Sequence, residues 1–278
     1  MIDNLKNVLI GFRQEGTPAS HALRYGLSLA REAKAHASVC ALSPKVVITH
    51  AFVSGVAAGL VAAENNRLRE LAENAVDEAR KDAVSAGVLC TGEVLQEPYA
   101  ALTASFTRRA RVHDLSIVDA ELNSWSLERG LLEETLFNSG RPVIVVPAGV
   151  NEFKARTILI AWDGSARAVR AVNDALPFLK AAENVEILSV TGEKDLSKSV
   201  QGSDLAPHLA RHGVNCSVKD LAAAGGDAGE TIRNQASLIR ADMIVMGAFV
   251  HSRVRQIVLG GVTETMLGAS PVPLFLTY

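Results

Sequence analysis

The chain has only three cysteines among 278 residues, a net charge of −2 and no apolar run long enough to cross a bilayer. Its most apolar stretch, Ala51 to Ala63, is interrupted by Ser54, Gly55 and Gly59. It falls short of the roughly 20 residues a spanning helix needs and reads as the start of a buried helix. Met1-Ile2-Asp3-Asn4-Leu5-Lys6 has no basic segment followed by an apolar stretch, so no secretory leader is expected. The near-neutral charge gives no basic surface for nucleic acid or an anionic membrane, so neither is expected as a partner. Cys40, Cys90 and Cys216 are odd in number and far apart, which predicts free thiols and a cytoplasmic protein.

Signatures of catalysis are missing as well. No Gly-x-x-x-x-Gly-Lys-Ser/Thr loop is present for P-loop hydrolysis. No His-Glu-x-x-His or paired Cys-x-x-Cys supplies a metal site, and no Gly-x-Ser-x-Gly elbow supplies a nucleophile. Asn215-Cys216-Ser217 fits a glycosylation sequon, which in an intracellular chain is a chance match. No catalytic residue and no metal site is expected.

What the chain does contain is a repeat. Val8-Leu9-Ile10-Gly11-Phe12 returns as Thr157-Ile158-Leu159-Ile160-Ala161-Trp162-Asp163, and His113–Ala120 returns as Ala241–Ala248. Arg141-Pro142-Val143 aligns with Ser270-Pro271-Val272. The chain therefore divides into residues 1–149 and 150–278, joined near Ala148-Gly149-Val150-Asn151. A length of 278 residues accommodates two units of about 140 residues each.

In the first half, apolar runs at Val8–Phe12, Ser38–Leu42, Thr91–Leu95, Leu115–Val118 and Val143–Val146 alternate with helices near Pro18–Ala35, Val56–Ala86, Tyr99–Arg111 and Leu127–Asn138. In the second, runs at Thr157–Trp162, Glu186–Val190, Ser217–Leu221, Met243–Met246 and Leu274–Leu276 alternate with helices near Ala166–Lys180, Leu205–His212, Asp227–Ile239 and Val254–Leu267. Such alternation predicts α/β architecture: two tandem doubly wound α/β/α sandwiches, each with a five-stranded parallel sheet. Ligands in such sandwiches bind beyond the carboxyl ends of the strands, where the strand order switches. The long helix Val56–Ala86 carries Glu64, Arg67, Glu70, Glu73, Asp77, Arg80 and Lys81, either as a solvated face or as an arm against the other half or a second chain. The polar stretch Glu193–Asp204 reads as a loop near the site.

The candidate site follows Met243-Ile244-Val245-Met246. There Gly247-Ala248-Phe249-Val250-His251-Ser252-Arg253 precedes Leu259-Gly260-Gly261-Val262-Thr263. An apolar strand, a small-residue turn and a helix start together suggest a phosphate cradle made by backbone N–H groups. Each side chain also has a plain structural role open to it. Asp163 can cap the helix near Ser165, Ser252 can cap a turn, and Trp162 and Val190 can fill core. His251 reads as a surface histidine. Arg253 and Arg255 lie two apart and so point to different sides of a helix, leaving Arg253 the better phosphate partner.

These residues resemble the universal stress protein family in its tandem, UspA-like form, over nearly the whole chain. The fold that the resemblance implies is adenine nucleotide α-hydrolase-like. The family's nucleotide motif reads Gly-x2-Gly-x9-Gly followed by Ser or Thr, and Gly247, Val250, Gly260 and Gly261 fall on it. Two positions depart, Val250 for the second glycine and Gly261 for the hydroxyl, with Thr263 two residues on. A β-branched residue fits badly where φ is positive. The resemblance implies ATP or AMP, with Mg2+ accompanying ATP. The contacts it implies are Asp163, Val190, Gly247, Val250, Ser252, Arg253, Gly260, Gly261 and Thr263.

The first half replaces the glycine loop by Asp119-Ala120-Glu121-Leu122-Asn123-Ser124-Trp125, has Gly11-Phe12-Arg13-Gln14 where the acidic residue belongs, and places Glu133 and Glu134 near Gly260 and Gly261. It is expected to bind no nucleotide and to serve as an intrachain partner, mimicking a homodimer. The functional expectation is a stress-response regulatory protein that senses nucleotide and acts on a protein partner, with at most slow ATP hydrolysis. Two alternatives stand beside it. One is an interaction protein with a decayed site, using the long helix as its surface. The other is an enzyme on an adenylated small molecule, with turnover dependent on Asp163 or Ser252.

Overall fold

The computed structural model describes residues 2–13, 20–47, 55–120, 126–192, 200–248, 250–253 and 256–278. The first half runs β1 (Asn7–Phe12), α1 (His21–Ala33), β2 (His36–Pro44), α2 (Gly55–Ser85), β3 (Cys90–Glu97), α3 (Tyr99–Ala110), β4 (Leu115–Asp119), α4 (Leu127–Asn138) and β5 (Val143–Val146). The second runs β6 (Thr157–Ala161), α5 (Ala166–Ala181), β7 (Asn184–Thr191), α6 (Gly202–Arg211), β8 (Cys216–Ala222), α7 (Ala228–Leu238) and β9 (Met243–Gly247). It ends with β10 (Val250–Arg253), β11 (Gln256–Leu259), α8 (Gly261–Ala269) and β12 (Leu274–Thr277).

Each half contributes five parallel strands, β3-β2-β1-β4-β5 and β8-β7-β6-β9-β12. The two sets fuse into one 10-stranded sheet through β5 and β12, which pair antiparallel with Ile144 opposite Phe275. Both joining strands are buried throughout. Their near-continuous apolar sequences, Val-Ile-Val-Val and Leu-Phe-Leu-Thr, would be aggregation-prone as open edges, and pairing them removes both edges.

Helices cover both faces. One core gathers α1, α2 and α5 residues such as Tyr25, Ala79 and Phe178, together with Phe153 from the connection between halves. The other gathers α3, α4, α7 and α8 residues such as Phe106, Leu131, Ile232 and Met266. Helix α2 packs mainly on β2 and β3 of its own half, so the reading of it as an arm onto the other half is not what its main contacts show. Its charged face carries the exposed pairs Arg67–Glu64 and Arg80–Asp77. Among the described residues the three cysteines are free, and no helix is long and apolar enough to cross a membrane.

Two expectations need correction. The stretch expected as a helix over Val254–Leu267 is an antiparallel hairpin, β10–β11, followed by a shorter α8 that starts at Gly261. Gln256-Ile257-Val258-Leu259 favours a strand, and a helix through Gly260 and Gly261 would carry two interior glycines at about 1 kcal/mol each. The repeat register also shifts. Ser116 N–H bonds Pro142 O at 3.1 Å, and Ile244 N–H bonds Pro273 O at 3.0 Å, so Pro142 corresponds to Pro273 rather than Pro271. Two prolines in three residues, Pro271 and Pro273, let the sequence comparison slip by two positions.

Candidate functional site

Strands β6 and β9 are neighbours, with Ala161 level with Met246. The chain leaves β6 into α5 on one face and leaves β9 towards α8 on the other, as the two cores show. The carboxyl ends of β6 and β9 therefore flank a switch point of the kind that leaves a crevice. Asp163 and Gly247 stand at those two ends, and Val190 lies near the end of the next strand, β7.

Asp163 is half-buried and uses one carboxylate oxygen locally, accepting from Ser165 N–H at 3.0 Å. Ser165 is the N-cap of α5, its hydroxyl accepting from Ala168 N–H at 3.2 Å. Gly164 between them takes φ 68°, the left-handed conformation that glycine adopts without a steric penalty. The cap of α5 is therefore Ser165 rather than Asp163, whose carboxylate instead closes the turn before the helix and is pinned there.

Gly247 is needed for packing. A Cβ there would lie 2.6 Å from the carbonyl carbon of Arg167 and 2.7 Å from the backbone nitrogen of Ala168. No side chain fits between β9 and the first turn of α5. Val190 is in phase with Leu188, whose carbonyl accepts from Trp162 N–H at 2.8 Å. Its backbone therefore faces the same way, past the end of β6, while Thr191 O turns to Ala223 N–H at 2.8 Å on the β8 side. Trp162 is core, 4% exposed, with its indole N–H donating to Val200 O at 2.8 Å.

Val250, His251, Ser252 and Arg253 form β10, paired with Leu259, Val258, Ile257 and Gln256. Val250 is the first residue of β10, and β-branched residues are common in strands. Because β10 is a strand, the helical argument separating Arg253 from Arg255 falls away; Arg255 lies outside the described residues. Of the polar stretch Glu193–Asp204, residues 193–199 are likewise outside them, and Gly202–Asp204 open α6.

The start of α8 is glycine twice over. Gly260 is its N-cap with φ −70° and ψ 157°, and has no side chain to satisfy the first turn. The first intrahelical bond runs from Glu264 N–H to Gly260 O at 2.9 Å, so the amides of Gly261 and Val262 precede it. Gly261 is exposed, and a Cβ there would meet nothing within 4 Å among the described residues. Thr263 is 1% exposed, so its side chain faces the interior. A helix N-terminus whose cap offers no side chain favours an anion.

The same place in the first half is filled by its own side chains, which the sequence did not disclose. Asp119, equivalent to Gly247, accepts from Ser20 Oγ at 2.5 Å and Ala22 N–H at 2.8 Å at the start of α1. Burial raises the Asp119 pKa, opposed by those donors. Gly130, equivalent to Gly261 in the corrected register, lies under Tyr99, whose hydroxyl oxygen would be 1.8 Å from a Cβ there. Arg129, equivalent to Gly260, is buried and binds Glu133 at 2.6 Å and also Glu264 of the second half. The expectation that Glu133 and Glu134 sit at the phosphate position is therefore overturned. They lie within α4, level with Glu264 and Thr265, and the blockage is steric.

Asp119→Ala is expected to destabilise the protein by about 1–2 kcal/mol, since it strips the first turn of α1 of an acceptor. Asp119→Asn tests the charge. With the folded pKa raised, the proton-linked stability is full below the ordinary aspartate value of about 3.9 and is lost as pH rises through the raised value. Urea denaturation at a series of pH values should show that decline in the native protein and its absence in the asparagine variant.

Comparison with known proteins bears on these observations. Residues 154–277 match the model of the universal stress protein family. A universal stress protein from Archaeoglobus fulgidus DSM 4304 superposes with TM-score 0.70 at 16% identity, over 97% of this chain and 95% of that one. A protein from Pseudomonas aeruginosa UCBPP-PA14, provisionally described as a universal stress protein, superposes with TM-score 0.62 at 12% identity, over 99% and 94%. At these identities the likeness of the whole chains is one of fold. No curated protein matches the sequence.

Proposed function

We propose, from the match of residues 154–277 to the universal stress protein family, that this protein binds an adenine nucleotide, ATP or AMP, in its second half and acts as a cytoplasmic stress-response regulator on a protein partner. The observation that carries the reading is the start of α8. Gly260 caps that helix without a side chain, and Gly261, its first residue, is exposed. Gly261 and Val262 N–H would face the phosphates, and the Val190 backbone, directed past the end of β6, would serve the adenine edge. Asp163 would hold the ribose or a water of Mg2+ accompanying ATP. Ser252 and Arg253 would contact the phosphates.

Nucleotide would supply a charged, exchangeable signal, and the protein's part is to bind it. Hydrolysis would be slow, because among the described residues no side chain in this arrangement is placed as a general base. The first half, its cradle filled by Asp119, Tyr99 and Arg129, would remain without nucleotide and act as the intrachain partner.

Calorimetric titration with ATP and magnesium, repeated on Gly261→Asp, tests this. A Cβ at Gly261 would meet nothing within 4 Å among the described residues, and an acidic residue at a helix start should raise stability by about 0.3–1 kcal/mol. Facing phosphate, the same charge should weaken ATP by on the order of a hundredfold. Native protein that takes up no ATP at millimolar concentration would overturn the proposal. The first turns of α2 support a second reading, an interaction protein with a decayed site. Val56 and Leu60 there are 75% and 67% exposed, an apolar surface with no cover from the described residues.

A further inference from the structure

The proposed cradle has a neighbour that a phosphate would not choose. Glu264 lies in the first turn of α8, three residues after Gly261, with its carboxylate about half exposed. An acidic group there suits the helix dipole when the site is empty, and repels phosphate when it is full. Glu264 does not stand alone. Arg129 of α4 donates from Nη2 to Glu264 and from Nε to Glu133 at 2.6 Å. The guanidinium is 7% exposed, whereas the two carboxylates are 37% and 45% exposed. One buried cation thus joins corresponding glutamates of the two halves: Glu133 and Glu264 occupy the same place in α4 and α8 once Pro142 is aligned with Pro273.

Arg129 itself stands where the second half has Gly260. The position that is a bare N-cap in one half has become, in the other, a side chain reaching across to the cradle helix. We infer that the first half sets the nucleotide affinity of the second through Arg129, which neutralises Glu264 at the start of α8. This rests on the nucleotide reading above. Arg129 is a positioning residue: it touches Glu264, and its effect on the ligand passes through that carboxylate. A charge-assisted pair with a buried guanidinium is screened less than a surface pair. Its influence on an anion bound at the same helix start should therefore persist at physiological salt.

The test is ATP titration of the native chain, Arg129→Gln, Glu264→Gln and the double variant, with thermal unfolding recorded for each. Arg129→Gln should weaken ATP by roughly tenfold, a typical coupling between sites. Glu264→Gln should bind as well as the native chain or better. The double variant should return to within about threefold of native, because the repelling charge is gone along with its neutraliser. A brace of purely structural value would behave differently: the double variant, still lacking the bridge, would stay weak, and that result overturns the inference. Unchanged affinity in Arg129→Gln, with ATP still bound by the native chain, overturns it while leaving the nucleotide reading intact. Absence of binding by the native chain overturns both. Should Arg129→Gln fail to fold, Arg129→Lys decides. It keeps the charge but loses the fork, so affinity within about threefold of native supports neutralisation, and a roughly tenfold loss refutes it.

Discussion

Phe178→Ala is expected to lower the free energy of unfolding by about 3–5 kcal/mol and to do so for the whole chain at once. Phe178, 1% exposed in α5, is the middle of an aromatic series that crosses from one half to the other. Tyr25 of α1 packs edge-on against Phe153 of the connecting segment at 5.7 Å between ring centroids. Phe153 meets Phe178 at 6.0 Å, and Phe178 meets Phe275 of β12 at 5.7 Å. Edge-to-face contacts of this kind add to the area the rings bury. Phe275 in turn pairs across the sheet with Ile144 of β5, so removing one ring opens a cavity against both halves. Urea denaturation followed by circular dichroism should show one transition in the native protein and in the variant, displaced to lower urea in the latter. Two separate transitions in the native protein would mean that the joined sheet does not couple the halves. A loss below about 1 kcal/mol would mean that the surrounding side chains collapse into the space.

How much of this was legible in the sequence depended on which force decided each element. Strands buried on both faces, such as Val143–Val146 and Met243–Met246, announce themselves as unbroken apolar runs, and the helices between them as amphipathic stretches. The helix expected over Leu127–Asn138 is α4 to the residue, because Ser126 caps it. The hairpin at Val250–Leu259 was missed because a short apolar stretch followed by Val-Thr-Glu fits a helix as well as a strand, and only the paired glycines argue against one. The joining of β5 to β12 was not readable, since an edge strand and a central strand with the same apolar sequence differ only in what lies beside them. Of the proposed site, the glycines and Asp163 were marked out by the family resemblance. The side chains that fill the first half were not, because Asp119, Tyr99 and Arg129 come from three separate elements and belong to no local motif. A two-residue error in register was enough to hide the correspondence of Arg129 with Gly260.

That correspondence gives the glycines of the second half distinct meanings, and substituting them separates packing from binding. Gly247→Ala is expected to destabilise the protein by about 1–3 kcal/mol, because the added carbon would stand 2.6–2.7 Å from backbone atoms of Arg167 and Ala168. Backbone at that distance cannot swing aside as a side-chain tip can, so α5 must move off β9. Asp163 is bound to the start of α5 through Ser165, so the displacement reaches the crevice mouth as well. Gly261→Ala is the matched control. It meets nothing within 4 Å and replaces glycine at an exposed helix position, where alanine is favoured by up to about 1 kcal/mol. Thermal unfolding of the two variants should therefore move in opposite directions. ATP affinity should fall in Gly247→Ala through the shifted α5 and stay near native in Gly261→Ala, since one methyl group adds no charge to the cradle. Equal stability losses at the two positions would contradict the claim that only Gly247 is held by packing. A large affinity loss in Gly261→Ala would instead place the ligand against the Gly261 α-carbon itself, closer than backbone N–H contact alone requires.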